Sequence, residues 1–130
     1  MTTKPFGMIE LAVKELLMTK LELPESRVIG DFSYKAGQDY KVWFGLVPGG
    51  STDQIQGEWI LDIDIFDDDY TDAMNAALAL DAKIIGPKHR TSVMNLDNCY
   101  QNDGPVERPW NDDTVFRIGA TYVFTARRSG

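Results

Sequence analysis

From Glu58 to Phe66 the chain reads Glu-Trp-Ile-Leu-Asp-Ile-Asp-Ile-Phe, with a hydrophobic period of two. Trp59, Leu61, Ile63 and Ile65 fall on one face of an extended segment, and Ile60, Asp62, Asp64 and Phe66 on the other. A helix would scatter these residues around its cylinder. The segment therefore predicts a strand in a sheet buried on one side and at least partly wet on the second, which disfavours a fully buried parallel sheet. Thr114 to Arg127 repeats the alternation. Phe116, Ile118, Ala120, Tyr122, Phe124 and Ala126 point inward, and Arg117, Gly119, Thr121, Val123, Thr125 and Arg127 outward.

Two segments carry the helical period instead. Met8 to Leu21 sets Ile9, Ala12, Val13, Leu16, Leu17 and Met18 on one stripe, preceded by Pro5 and Gly7 and closed by Pro24. Tyr70 to Ile85 sets Ala73, Ala76, Ala77, Leu80 and Ile84 on another, with Asp69 placed to cap its N-terminus and Gly86-Pro87 to stop it. Arg27 to Tyr34 and Lys41 to Val47 read as strands around the turn-prone Ala36 to Asp39, and Pro48 to Asp53 as a hairpin turn. Lys88 to Tyr100 allows a short strand through Val93, Met94 and Leu96. Gln101 to Asp113, with Asn102-Asp103-Gly104-Pro105 and Arg108-Pro109-Trp110-Asn111, reads as a loop. The fold class expected is α+β: one domain over residues 1–130, two-layered, with a mostly antiparallel sheet carrying both helices on one face.

Composition limits the functions open to such a domain. The 43% apolar residues and 14 aromatics (three Trp, five Tyr, six Phe) rule out whole-chain disorder. No apolar run approaches the ~20 residues of a membrane span, and no signal core opens the chain, which is expected to stay in the compartment where it is made. A net charge of −7 opposes general attraction to nucleic acid or anionic lipid. The imbalance is local. Val42 to Ala82 holds no Lys or Arg but contains Asp53, Glu58, Asp62, Asp64, Asp67, Asp68, Asp69, Asp72 and Asp81, leaving the remainder at +2. The plain reading of these acids is a solvated face.

Catalytic signatures are weak. Cys99 has no partner for a disulfide, and with His89 as the chain's one histidine a Cys/His zinc module is excluded. Cys99 reads as a free structural thiol and His89 as a surface residue in a turn. Asp62 and Asp64 share a strand face next to Asp67, Asp68 and Asp69, but the run lacks the Gly and final Glu of a calcium loop. Pro48-Gly49-Gly50-Ser51 lacks the Lys of a phosphate cradle, and no serine sits in a nucleophile elbow. Neither metal, cofactor nor catalytic residue is expected, which leaves a binding or assembly domain.

Gly57-Glu58-Trp59-Ile60-Leu61-Asp62-Ile63-Asp64-Ile65-Phe66, the alanine-rich helix, the Pro109-Trp110 loop and Val115 to Arg127 with its Arg-x-x-Ala-Thr-Tyr core together resemble the tail terminator proteins of long-tailed, siphovirus-type bacteriophages. The likeness is greatest to those of phages infecting actinobacteria and runs over nearly the whole chain. The resemblance implies a non-catalytic virion protein at the head-tail interface, assembled in the host cytoplasm. It implies a homo-hexameric ring that caps the major tail tube protein, halts its polymerisation and docks the head-tail connector or stopper protein. Genomic DNA would pass through without tight binding, and no membrane is involved.

On that basis Asp62 and Asp64 are expected to face the lumen and repel DNA. Trp110, the Pro48 to Gln56 loop with Gly49 and Gly50, and Arg117, Arg127 and Arg128 are expected at contacts between rings or subunits. Trp110 reads equally as cover for the core edge. The competing readings are another joint component (a tail completion or connector protein), a metal-dependent hydrolase using Asp62, Asp64 and Asp67, and a small-ligand or peptide-binding domain.

Overall fold

The structure, a computed structural model, describes residues 8–52 and 56–127. Helix α1 spans Met8–Leu21 and buries Ile9, Ala12, Val13, Leu16 and Leu17, the stripe that its spacing predicts. It ends without glycine: Glu22 takes the left-handed conformation at φ 54°, and the Leu23 N–H reaches back to the Met18 carbonyl at 3.0 Å. A single 3₁₀ turn, Glu25–Arg27, then leads into β1, Val28–Ile29.

Only those two residues of the expected Arg27 to Tyr34 strand join the sheet, pairing in parallel with Val42 and Trp43. The chain beyond turns away because Phe32 and Tyr34 find aromatic partners on the sheet's other face. Strands β2, Lys41–Thr52, and β3, Gln56–Asp67, form an antiparallel hairpin. Pro48 to Thr52, expected as turn, continues β2 with a register irregularity between Val47 and Ser51; residues 53–55 lie outside the described residues. Helix α2, Tyr70–Ile84, starts where predicted, with the Asp69 carboxylate accepting the Asp72 N–H at 2.8 Å.

After α2 the chain makes three strands: β4, Gly86–Arg90, β5, Asn95–Arg108, and β6, Phe116–Arg127. Gly86-Pro87 ends the helix and at once opens β4. The β4–β5 turn is tied by the Thr91 hydroxyl, which accepts from the Val93 and Met94 N–H groups and donates to the Met94 carbonyl. The expected Gln101 to Asp113 loop is strand as far as Arg108. Its turn formers are absorbed as irregularities between Gln101 and Asp103 and between Asp103 and Val106.

The sheet order is β1-β2-β3-β6-β5-β4, mixed through β1 and antiparallel elsewhere. The fold is α+β. The buried stripes of α1 and α2 pack in one cluster with Val42, Phe44, Leu61, Ile63, Ile65, Ile118, Ala120, Tyr122 and Phe124, all of one parity along their strands. That cluster consumes one face of the sheet and leaves Asp62, Asp64, Arg108, Arg117 and Thr121 on the other.

Candidate functional site

The second face is built around a buried carboxylate. Asp64 is 0% exposed and stands across from Gly119 in the β3–β6 register. A Cβ at Gly119 would overlap the Asp64 carboxyl group and stand 2.8 Å from its Cα, so the missing side chain makes the room that Asp64 fills. Arg117 donates from Nε to Asp64 Oδ2 at 2.6 Å. Arg108 brings Nη1 to 3.4 Å from Asp64 Oδ1 and 3.0 Å from Asp62 Oδ1, and donates from Nη2 to the Thr121 hydroxyl at 3.1 Å. Thr121 in turn donates to Asp62 Oδ1 at 2.6 Å.

Burial pushes the Asp64 carboxyl above the ordinary carboxylate range. The Arg117 hydrogen bond and the charges of Arg108 and Arg117 pull it back. Asp64 Oδ1 lies within ion-pair range of Arg108 but receives no hydrogen bond, and the cross-strand neighbour Trp43 likewise leaves its buried Nε1–H unbonded.

Aromatic rings close the network at one end. The Arg117 guanidinium lies 5.1 Å from the Trp43 ring centre, 5.4 Å from Phe32 and 5.6 Å from both Phe66 and Trp110. Phe32 stacks on Trp43 at 5.0 Å, and Trp110 meets Phe66 edge-on at 4.9 Å. Tyr34, Phe66 and Val115 are buried beneath as a small second core. The Tyr34 hydroxyl donates to the Gln38 carbonyl, and the Gly37 N–H binds Asp68 at 2.9 Å, which holds the loop over the sheet. Burial, followed by the nearby Asp68 and Asp67 charges, pushes the Tyr34 phenol up to about 12.

The same contacts show where the chain itself places the predicted residues. Asp62 and Asp64 do share a face, as the strand period requires, but neither presents free charge: Asp64 is enclosed, and both are taken up by arginines. Arg117, expected to reach a neighbouring subunit, pairs within its own chain. Trp110 is half-buried over Phe66 and covers the core edge. Gly49 and Gly50 lie in the β2 backbone, and Arg127 pairs with Gln56 through the β3–β6 ladder; Arg128 lies outside the described residues.

His89, expected at the surface, is 8% exposed, and its Nε2 sits 2.6 Å from the Ile84 carbonyl, which can only accept, so Nε2 carries the proton. Cys99 is buried, and burial, helped by the Asp81 charge, pushes its thiol up to about 12. Asp81 also accepts the Tyr122 hydroxyl at 2.7 Å. Sequence reasoning missed Arg108, because the strand that carries it reads locally as loop.

Among the described residues no group of three or more His, Cys, Asp or Glu side chains converges to hold a metal ion, and no helix is long and apolar enough to cross a membrane.

No protein-family model matches this chain, and no curated protein matches it. Its fold is similar to that of a chain in the solved structure of the virion of a native gene transfer agent particle. The TM-score is 0.68 at 14% sequence identity, over 92% of this chain and 98% of that chain.

Proposed function

We propose that this chain is a structural virion protein of a phage-like particle, forming a ring that caps a finished tail tube, ends its polymerisation and docks the head connector. The observation that carries this reading is the likeness of fold, over nearly the whole length of both chains, to a chain of a gene transfer agent virion. The siphovirus-like strand motifs around Trp59 and Thr121 support the terminator position in particular. Ring building needs two different surfaces on each subunit, related by a rotation that closes. Partners under this reading are further copies of the chain, six to a ring, the tube protein below and the connector above.

Catalysis has no place in this reading. Of the carboxylates that a metal-dependent hydrolase would use, Asp62 and Asp64 are engaged by Arg108, Arg117 and Thr121, and Asp67 accepts the Asp69 N–H. Calorimetric titration with Mg²⁺, Mn²⁺ and Ca²⁺ is expected to show no uptake. Repulsion of transiting DNA rests on the overall charge of −7, not on Asp64.

A second reading, a tail completion or connector component, draws on the same fold likeness. Light scattering and negative-stain imaging of the protein alone, with tail tubes and with connectors separate the two. A six-fold ring, or a cap on one tube end, is the expected result. A protein that binds connectors and ignores tubes belongs to the second reading, and a monomer that ignores both overturns the proposal.

A further inference from the structure

Resting on the ring reading, we infer that neighbouring copies meet through oppositely charged flanks of the sheet, the basic β4 edge of one docking into an acidic groove beside the α2 N-terminus of the next. The two surfaces lie at opposite ends of the same helix. Helix α2 packs across β3, β6 and β5, a 15-residue span of about 22 Å. At its start, a groove of about 450 Å³ is lined by Asp39, Tyr40, Asp67, Asp68 and Asp72. Its cation, Arg27, is already engaged, donating from Nε to the Tyr40 carbonyl at 3.0 Å and lying over the Tyr40 ring. Asp39, Asp68 and Asp72 are exposed.

At the helix's far end Lys83, Lys88 and Arg90 are exposed, and none of them pairs with an acid among the described residues. The flanks cannot satisfy each other within one chain. Five strand spacings of about 4.8 Å set the sheet's edges about 24 Å apart. A second copy supplies the missing half, and because the flanks differ, the contact is head-to-tail, the kind from which rings close.

The outermost strands β4 and β1 are themselves poor templates for continuing the sheet from copy to copy, although the described strand pairing on those sides stops at Trp43 in β2 and at Cys99 in β5. Pro87 has no N–H to donate, Lys88 at φ 60° drops out of the β4–β5 register, and β1 is two residues long. Such an edge resists strand addition, yet it holds Lys88 and Arg90 outward. At β4 the contact is therefore side chain into groove, and it weakens as salt screens it.

Charge reversal tests this, read by light scattering of the full chain in 0.1 M and 1 M salt, alone and on tail tubes. K88E/R90E and D39K/D72K should each reduce the assembly to the 14.6 kDa chain, and all four changes together should restore it. Circular dichroism and thermal unfolding confirm that each variant folds. Rings that survive either reversal, or a folded quadruple variant that stays monomeric, overturn the inference while leaving the ring reading intact. A wild-type chain that never assembles, alone or on tubes, overturns both.

Discussion

Replacing Gly119 by Ala adds one methyl group where β6 faces Asp64 of β3. That methyl would overlap the Asp64 carboxyl group and stand 2.8 Å from the Asp64 Cα. Two responses are open. The strands can separate, at the overpacking cost of about 1–3 kcal/mol. Alternatively the carboxylate leaves Arg117 and Arg108, whose side chains are 17% exposed, and breaking such a pair costs about 3–5 kcal/mol. Both routes meet near 3 kcal/mol, a large share of a stability of about 5–15 kcal/mol.

With an unfolding entropy of about 2.1 cal/mol/K per residue, that loss lowers Tm by about 11 °C for a chain of 130 residues. Urea unfolding followed by tryptophan fluorescence measures the cost, and Asp64→Ala completes a double-mutant cycle. D64A alone should also cost about 3 kcal/mol, by leaving Arg117 without its carboxylate while Arg108 keeps Asp62. In the D64A background G119A meets no carboxyl group, so a coupling of at least about 1.5 kcal/mol is expected. A G119A protein within about 0.5 kcal/mol of wild type, or costs that simply add, would refute the steric argument.

Other consequences are measurable in the same way. Above pH 9.0 the Cys99 thiol ionises in the unfolded chain but not in the folded one, where burial holds it at about 12. The folded state then binds the extra proton, and stability falls as pH rises through that window by about 1.4 kcal/mol per pH unit. C99A should show a shallower alkaline decline, and an unchanged slope would count against the burial argument. Asp69→Ala removes the cap on Asp72 and should cost about 1 kcal/mol in thermal unfolding, with D69S restoring most of it. Glu22→Gly relieves a left-handed residue at the α1 terminus and should raise stability by about 1 kcal/mol; a fall in Tm would show that the Glu22 side chain matters more than its backbone.

The elements legible in the sequence are those whose residues alternate with a single clear period. α1, α2, β3 and β6 each pair an apolar stripe with a polar one, and the Asp69 cap is a purely local signal. β5 was hidden because its second half is strand by virtue of its neighbour: the β6 backbone supplies the hydrogen bonds, and irregularities at Asp103 accommodate residues that would otherwise turn. The ion network was half legible. The period of two places Asp62 and Asp64 on one face, but the cations that claim them come from β5 and β6, and the strand register that brings them there is written in no local pattern. His89 was misjudged for the same reason. Its burial depends on the Ile84 carbonyl at the end of α2, which a reading of its immediate neighbours as turn does not supply.

The placement of β6 between β3 and β5 also sets an order of events for the newborn chain. Gly119 meets a residue 55 positions earlier, so the central ladder closes across a long intervening stretch. Closure of that kind puts folding in the slow, milliseconds-to-seconds class of β-rich topologies. Until β6 emerges from the ribosome, the β2–β3 hairpin and the β4–β5 hairpin have no strand between them and share only the packing of α2. Asp64 meanwhile waits in water without Arg117. Both the apolar core and the arginine network are thus completed by one late strand.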